Sequence, residues 1–292
     1  MKVAIFGRAS EGKSLSGMVE LLQTISREPS VQSIIYGPFY NYLLQCCPSL
    51  DIKGVSFFSS DADLDTDTGL FLSLGGDGTL LSSVPLVRGK NIPVAGINFG
   101  RLGFLTSSAS DGVLSLLKGN FKTEKRPLLK LEYEGMPEDF YPYALNEFAL
   151  QRKGPAVLEV QISIDGSPIP KYMADGVLVA SSTGSTAYSM SAGGPIVMPL
   201  CRVLTVVPIA PHNLNIRPLV VSDNSSIEIS FSTRYKDATL SADNRQFLIP
   251  DGAGVKISSS CTCLNLVSSD SDFITTLSQK LFWGADWRTL DK

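Results

Sequence analysis

The hydrophobic period of this chain changes once, near Arg126, and the change limits the folds open to it. Before that point short apolar runs alternate with segments of helical period. KVAIF, VQSIIY, GLFLSL and IPVAGINF read as strands. Between them, Leu15 to Arg27 carries Leu15, Met18, Val19 and Leu22 on one helical face, and PFYNYLLQCC, Gly78 to Val87 and DGVLSLLKG read as further helices. Strands that alternate with helices predict a parallel sheet covered by helices. After Arg126 the period is two. In VLEVQISID, Leu158, Val160, Ile162 and Ile164 alternate with Glu159, Gln161, Ser163 and Asp165, which predicts a half-buried strand, and Asp165-Gly166 predicts a hairpin turn. IEISFS, ATLSA, GVKISSS and CTCLNLVS continue the pattern, so this part is expected to be mostly antiparallel, in packed layers. SDFITTLSQKLF reads as a helix again. The expected divisions are an α/β domain over 1–122, a β-rich domain over 123–270 and a terminal helix over 271–292 that returns to cover the first domain.

Composition narrows the function classes. Lys+Arg number 25 against Asp+Glu 28, with no basic block, which disfavours nucleic acid as a partner. The single histidine, His212, and five scattered cysteines without a C-x-x-C argue against zinc sites and against histidine-assisted nucleophiles. Such cysteines read as reduced thiols in a cytoplasmic protein. No apolar run is long enough to predict a membrane span, and MKVAIFGRASEGK does not read as a signal peptide. The acidic stretch DADLDTDT reads as a solvated surface turn.

Three stretches concentrate polar chemistry. GLFLSL runs into GGDGTLL, where Gly75, Gly76, Gly78 and Thr79 surround Asp77. A glycine-rich turn at the carboxyl end of a strand, followed by a helix N-terminus, suits phosphate. A carboxylate there would repel an anion, so Asp77 reads as a general base or a magnesium contact. The second stretch is ADGVLVASSTGSTAYSMSAGGP, residues 174–195. Its hydroxyl residues, Thr183 and Thr186 among them, offer donors and acceptors for ribose or phosphate oxygens, and Tyr188 offers a flat face for a base. The third is ALNEFAL, in which Asn146 and Glu147 form a polar pair inside an apolar strand. They serve either a ligand with an amide edge and ribose hydroxyls, or the two sides of an edge strand.

Together with GINFGRLGFLT at 96–106 and PHNLNIRPLVV at 211–221, these motifs resemble those of the NAD kinases over nearly the whole chain. GGDGT alone is shared with lipid kinases; the long DG…STGSTAY…SAGGP stretch is far more specific. The resemblance implies a Rossmann-like α/β N-terminal domain of the diacylglycerol-kinase/NAD-kinase type and a β-rich C-terminal domain with layered sheets, with the active site between them. It implies transfer of the γ-phosphoryl group of ATP, or in some members of polyphosphate, to the 2′-hydroxyl of the adenosine ribose of NAD. Divalent metal, Mg²⁺, is the implied cofactor. Asp77 matches the family's catalytic aspartate, with Gly75, Gly76, Gly78 and Thr79 around it. Asn146 and Glu147 match its adenosine-side pair and Asp175 the carboxylate near the nicotinamide half. Thr186, Ala187 and Tyr188 match the adenine-binding turn, with Thr183 before it and Ser191 beyond. Phe104 matches a pocket wall and Gln246 a late polar contact. The family is usually homo-oligomeric, so a homodimer or homotetramer is expected. The competing readings are a lipid kinase sharing GGDGT and a non-catalytic NADP-binding module.

The chain departs from the family pattern at Ser107, where an acidic residue is common, at Arg101, and at Met173, where a basic residue can stand. These positions bear on peripheral contacts and dinucleotide preference. A second motif competes for the nucleotide. IFGRASEGKS, residues 5–14, satisfies the P-loop pattern G-x-x-x-x-G-K-[ST] and follows a strand. The resemblance accounts for nucleotide chemistry through GGDGT and needs no P-loop lysine, so this match reads as a decoy. Lys13→Ala is expected to leave the KM for ATP unchanged in steady-state kinetics; a large rise would restore the P-loop.

Overall fold

A computed structural model of the chain describes residues 1–9, 13–50, 52, 54–100, 103–108, 112–268 and 272–282. Residues 10–12 and the side chain of Lys13, Arg101 and Asp111 lie outside the described structure. The chain divides into two compact units, residues 1–125 with 264–292, and residues 126–263.

The first unit is α/β. Its strands are β1 (Lys2–Gly7), β2 (Gln32–Tyr36), β3 (Ser56–Phe58), β4 (Leu70–Leu74), β5 (Pro93–Asn98) and β6 (Thr106–Ser108). Its helices are α1 (Lys13–Ser26), α2 (Gly37–Cys46), α3 (Asp77–Val87) and α4 (Val113–Leu117). The strand order is β3-β2-β1-β4-β5, every pair parallel. The free edge of β5 is divided: residues 96–98 pair with β6, and Pro93 and Val94 pair with Asn265 and Leu266. Parallel strands need helical crossovers, which is why strands and helices alternate. β1 and β4 are almost entirely apolar because the sheet has no solvated face here. Val3, Ile5, Leu70, Leu72 and Leu74 pack with Met18, Leu22 and Ile25 of α1 and Phe39 and Leu43 of α2 in one core.

The second unit is antiparallel β. Its strands are β7 (Thr123–Glu132), which begins in the first unit's residues, β8 (Tyr143–Ala144), β9 (Glu147–Arg152), β10 (Leu158–Ile164), β11 (Ser167–Pro168), β12 (Tyr172–Ala174), β13 (Gly176–Ser181), β14 (Val203–Ile209), β15 (Leu219–Ser222), β16 (Ser226–Ser232), β17 (Asp237–Ala242), β18 (Arg245–Pro250) and β19 (Gly254–Val267), which ends in the first unit's residues. A single helical turn, α5 (Tyr188–Ser191), follows a 3-10 turn at Thr183–Thr186. One layer has the order β15-β14-β13-β9-β17-β18. The other pairs β10 with β11, β12 and β16, and β16 with the start of β19. Phe148, Leu150, Val177, Val179 and Leu240 of the first layer meet Leu158, Val160, Ile162, Ile227 and Ile229 of the second, a sandwich core. The last helix, α6 (Phe273–Leu281), belongs to the first unit. Asp272 caps it, accepting from Thr275 N at 2.9 Å. Among the described residues no helix is long and apolar enough to cross a membrane.

Several elements differ from the sequence reading. GVKISSS and CTCLNLV form one 14-residue strand, β19, rather than two. β3, β6, β7, β14 and β18 carry no clear alternation and were not expected. The acidic stretch lies mostly exposed at the surface, as expected, and its turn is fixed by hydrogen bonds and ion pairs. Ser60 and Asp63 form a capping box, Lys2 pairs with Asp65 and Asp67, and Lys90 Nζ reaches the carbonyls of Asp61 and Leu64. The Asp165-Gly166 hairpin forms as expected, both residues at positive φ, joining Ile164 to Ser167.

Gly7 of the P-loop-like stretch has a packing explanation. It ends β1, and a methyl group there would lie 2.5 Å from the buried ring of Phe39. Gly7→Ala is expected to destabilise the protein by about 1–3 kcal/mol through overpacking. Thermal unfolding with ligand absent checks this, and an unchanged Tm would refute it.

Candidate functional site

In the first unit the chemistry gathers where β4 gives way to α3. Gly75 sits at φ +145°, a conformation that favours glycine, and a Cβ there would run into the Thr79 side chain. Its N–H donates to Ile97 O at 2.8 Å, tying the turn to β5. Gly76 precedes α3 as its N-cap, and Asp77 is the first helical residue. An added Cβ at Gly78 would meet nothing within 4 Å, and one at Gly76 only Asn98 Nδ2 at 3.8 Å. The backbone of the turn is therefore open to an approaching group. Of the three glycines, only Gly75 has a positive φ.

Asp77 is held from the segment before β6. Phe104 N donates to Oδ2 at 2.7 Å, Leu105 N to Oδ1 at 3.2 Å and Thr106 Oγ1 to Oδ1 at 2.9 Å. Gly103 makes this possible, because a Cβ there would overlap both the Asp77 carboxylate and the Thr106 hydroxyl. Phe104 lies beside Asp77, and its ring packs on Phe273 of α6 at 6.0 Å between centroids. Ser107, a departure from the family pattern, lies half-buried in β6.

In the second unit a different group assembles on one face of the six-stranded layer. Asn146 and Glu147 are both buried, 5% and 8% exposed. β9 runs between β13 and β17, so the edge-strand alternative for this pair fails. Asp243 builds their backbone. Its carboxylate accepts from the N–H groups of Leu145 at 2.9 Å, Asn146 at 2.8 Å and Glu147 at 3.3 Å, while its own N–H donates to Glu147 O at 3.0 Å. Asp243 turns the β17–β18 hairpin at φ 51°. The next strand begins with Arg245, which donates to Tyr141 O at 2.6 Å and Tyr143 O at 2.5 Å. Sequence reasoning missed Asp243 and Arg245. Asp-Asn is a turn signal, but nothing in it marks a carboxylate that caps N–H groups nearly a hundred residues away.

Burial, and then the nearby Asp243 carboxylate, push the Glu147 carboxyl up to about 8, against the opposing hydrogen bond from Tyr188 N–H. Burial also raises Asp243, with its three N–H partners opposing. Glu147 is thus mostly protonated at neutral pH and can donate as well as accept. Its Oε2 and the Oδ1 of Asn146 are buried without a hydrogen-bond partner. Unpaired buried oxygens are rare and costly, so a ligand that pairs them binds with that cost relieved.

Tyr188 stands on the same face, its hydroxyl accepting from Gln151 Nε2 at 2.8 Å. Its ring packs against the small and apolar residues Ala149, Leu178, Ala180 and Val207. The strand registers set Gln246 opposite Ser241, Ser241 opposite Ala149 and Ala149 opposite Leu178, so exposed Gln246 lies on this face, toward the β18 edge. Asp175 forms a forked ion pair with Arg152, Nε to Oδ1 at 2.6 Å and Nη2 to Oδ2 at 3.2 Å. The sequence reading did not single out Arg152. Met173, just before, is exposed in β12.

Within the serine-rich stretch three hydroxyls are bonded to backbone. Ser181 Oγ donates to Leu145 O at 2.6 Å, Ser182 Oγ to Pro199 O at 2.8 Å and Ser185 Oγ to Val197 O at 3.0 Å. These hydroxyls lock the loop to neighbouring backbone and are not free for ligand oxygens. Thr183 is buried with them, Thr186 and Ala187 are half-buried, and Ser191 is exposed. Gly184 lies directly on Asn146, since a Cβ there would overlap the Asn146 carbonyl.

The chain matches the family models for the ATP-NAD kinase N-terminal domain over residues 55–124 and the ATP-NAD kinase C-terminal domain over residues 145–269. It is 36% identical to the NAD kinase of Cytophaga hutchinsonii, covering 99% of this chain and 100% of that one. It is 31% identical to that of Bacteroides fragilis at the same coverage. This chain belongs to the NAD kinase family. Among solved structures it resembles yeast NADH kinase complexed with NADH, at a TM-score of 0.86 and 26% identity, over 99% of this chain and 89% of that one. It also resembles an NAD kinase from Archaeoglobus fulgidus in complex with ATP, at a TM-score of 0.72 and 25% identity, over 96% and 98%.

The raised Glu147 carboxyl has a consequence for stability. Between the unfolded value of 4.5 and the folded value of about 8, the folded protein holds a proton that the unfolded chain has released. Stability is therefore expected to fall as pH rises through this window, by up to about 1.4 kcal/mol per pH unit. Glu147→Gln should remove that slope. Denaturant unfolding of both proteins from pH 5 to 8 checks it, and parallel profiles would refute it.

Proposed function

We propose that this NAD kinase family member transfers the γ-phosphoryl group of ATP to the 2′-hydroxyl of the adenosine ribose of NAD, giving NADP and ADP. The observation that carries this reading is the pair of buried, unpaired oxygens on Asn146 and Glu147 beside the Tyr188 ring. A flat base with an adjacent ribose supplies what they lack: a face for the tyrosine and hydroxyls for the two oxygens. Glu147, protonated at neutral pH, offers an O–H as well as an acceptor. In this reading Asp175, held by Arg152, faces the nicotinamide half, and Gln246, Thr183, Thr186, Ala187 and Ser191 lie along the dinucleotide.

A secondary hydroxyl is a weak nucleophile. Asp77 accepts its proton as the oxygen attacks phosphorus. The fixed Asp77 rotamer suits this task, since three hydrogen bonds aim the carboxylate and leave little reorganisation for the reaction. The turn from Gly75 to Gly78, open at Gly76 and Gly78, with the N-terminal N–H groups of α3, suits the nucleotide phosphates, with Thr79 supporting the turn.

Among the described residues no group of three or more His, Cys, Asp or Glu side chains is arranged to hold a metal ion. In this reading magnesium arrives as part of the MgATP substrate, carried on phosphate oxygens. The same reading includes a homo-oligomer. Leu219 and Val220, exposed on the edge strand β15, offer apolar side chains to a second copy of the chain.

Asp77→Asn is expected to lower NADP⁺ formation by about 10²–10⁴-fold while NAD⁺ binding persists. An assay with ATP, Mg²⁺ and NAD⁺ checks the first and calorimetry the second. Turnover equal to that of the unaltered protein would overturn the assignment of Asp77 as base.

A further inference from the structure

Lys280 lies in none of the sequence motifs, yet α6 carries it to Asp77. Its ammonium lies 3.9 Å from Asp77 Oδ2 and 4.2 Å from the centre of the Phe104 ring. Phe273, in the first turn of the same helix, packs on the other end of this contact through Phe104. The helix is thus fixed at both ends over the segment that holds Asp77. A lysine in a last helical turn is ordinarily explained by the helix dipole, but that role is met by an ammonium pointing into water. Here the side chain is 26% exposed and is directed at a carboxylate that is 29% exposed.

The pairing is incomplete. A distance of 3.9 Å is too long for a hydrogen bond, and Oδ2 already accepts from Phe104 N at 2.7 Å. The ring face attracts the cation without accepting a directed bond. The ammonium thus has three donors, a restrained position and, among the described residues, no hydrogen-bond acceptor. An oxyanion arriving at Asp77 would supply one.

We propose that Lys280 is a phosphate-binding residue of the kinase site, which contacts the phosphoryl group as it is transferred and then holds it as the 2′-phosphate of the product. The inference rests on the reading of Asp77 as the base. In the step itself the ribose oxygen forms a bond to phosphorus, the bond from phosphorus to the ADP oxygen breaks, and the hydroxyl proton passes to Asp77. Lys280 keeps its proton and balances charge on the equatorial oxygens, where phosphoryl transfer concentrates it. The Phe104 ring keeps the ammonium from collapsing onto Asp77 and quenching the base.

The test compares Lys280→Met and Lys280→Arg with the unaltered full chain, measuring NAD⁺ and NADP⁺ binding by calorimetry without ATP, and turnover separately. The two ligands differ only by the 2′-phosphate. Lys280→Met should bind NAD⁺ within about twofold of the unaltered protein, because NAD⁺ brings no 2′-phosphate for the ammonium to hold. It should bind NADP⁺ at least about tenfold more weakly and lose a similar factor in kcat, because a charge-assisted bond is lost. Lys280→Arg should recover most of both. An equal loss of the two ligands would assign Lys280 to helix packing and overturn the proposal, as would unchanged NADP⁺ affinity. Lys280→Gln gives the same reading if the methionine variant does not fold. Failure of the unaltered protein to make NADP⁺ would instead count against the proposed function, which the binding comparison does not use.

Discussion

Backbone N–H groups that leave a sheet still need acceptors, and in each unit one aspartate supplies them for the segment that carries the chemistry. Asp77 takes the N–H groups of Phe104 and Leu105, and Asp243 takes those of Leu145, Asn146 and Glu147. The two carboxylates resemble each other in bonding and differ in surroundings. Asp243 is buried enough for its proton affinity to rise, and it acts by shaping backbone. Asp77 keeps 29% of its side chain in solvent, within reach of a reactant. Similar hydrogen bonding therefore serves a structural purpose in one unit and a proposed chemical one in the other.

Close packing explains most of the remaining motif residues. Gly103 lets a carboxylate and a hydroxyl meet, and Gly184 lets the serine-rich loop rest on the Asn146 carbonyl. Ser181, Ser182 and Ser185 then fasten that loop to the backbone of neighbouring segments. The loop holds Tyr188 over Ala149, Leu178 and Ala180, where larger side chains would fill the space beneath the ring. Three serines of that stretch thus support one aromatic ring and two buried oxygens.

Much of the architecture was legible. Period and alternation located β1, β2, β4, β5, α1 to α4, β10, β16, β17 and the Asp165-Gly166 turn, because their burial is one-sided or complete and their residues record it. Short strands such as β3 and β6 escaped because three residues carry no measurable period. β14 escaped for another reason: Val203 to Ile209 is apolar throughout, and such a run does not distinguish strand from buried helix. The family was legible from motifs with specific spacing. Arg152, Thr106, Asp243, Arg245 and Lys280 were not, since each is an ordinary residue until its partner is known.

What the sequence by itself determined is local: which segments are strands or helices, which turns need glycine, and which polar residues break an apolar pattern. The tertiary structure alone decided partnership. It brought Asp243 beneath Asn146 and Glu147, set Arg152 on Asp175 and carried Lys280 of the last helix to Asp77. The physical reason is that a periodic pattern reports how deeply a side chain is buried and on which face. It carries no information on which distant chain segment supplies the hydrogen bond or the charge that burial requires.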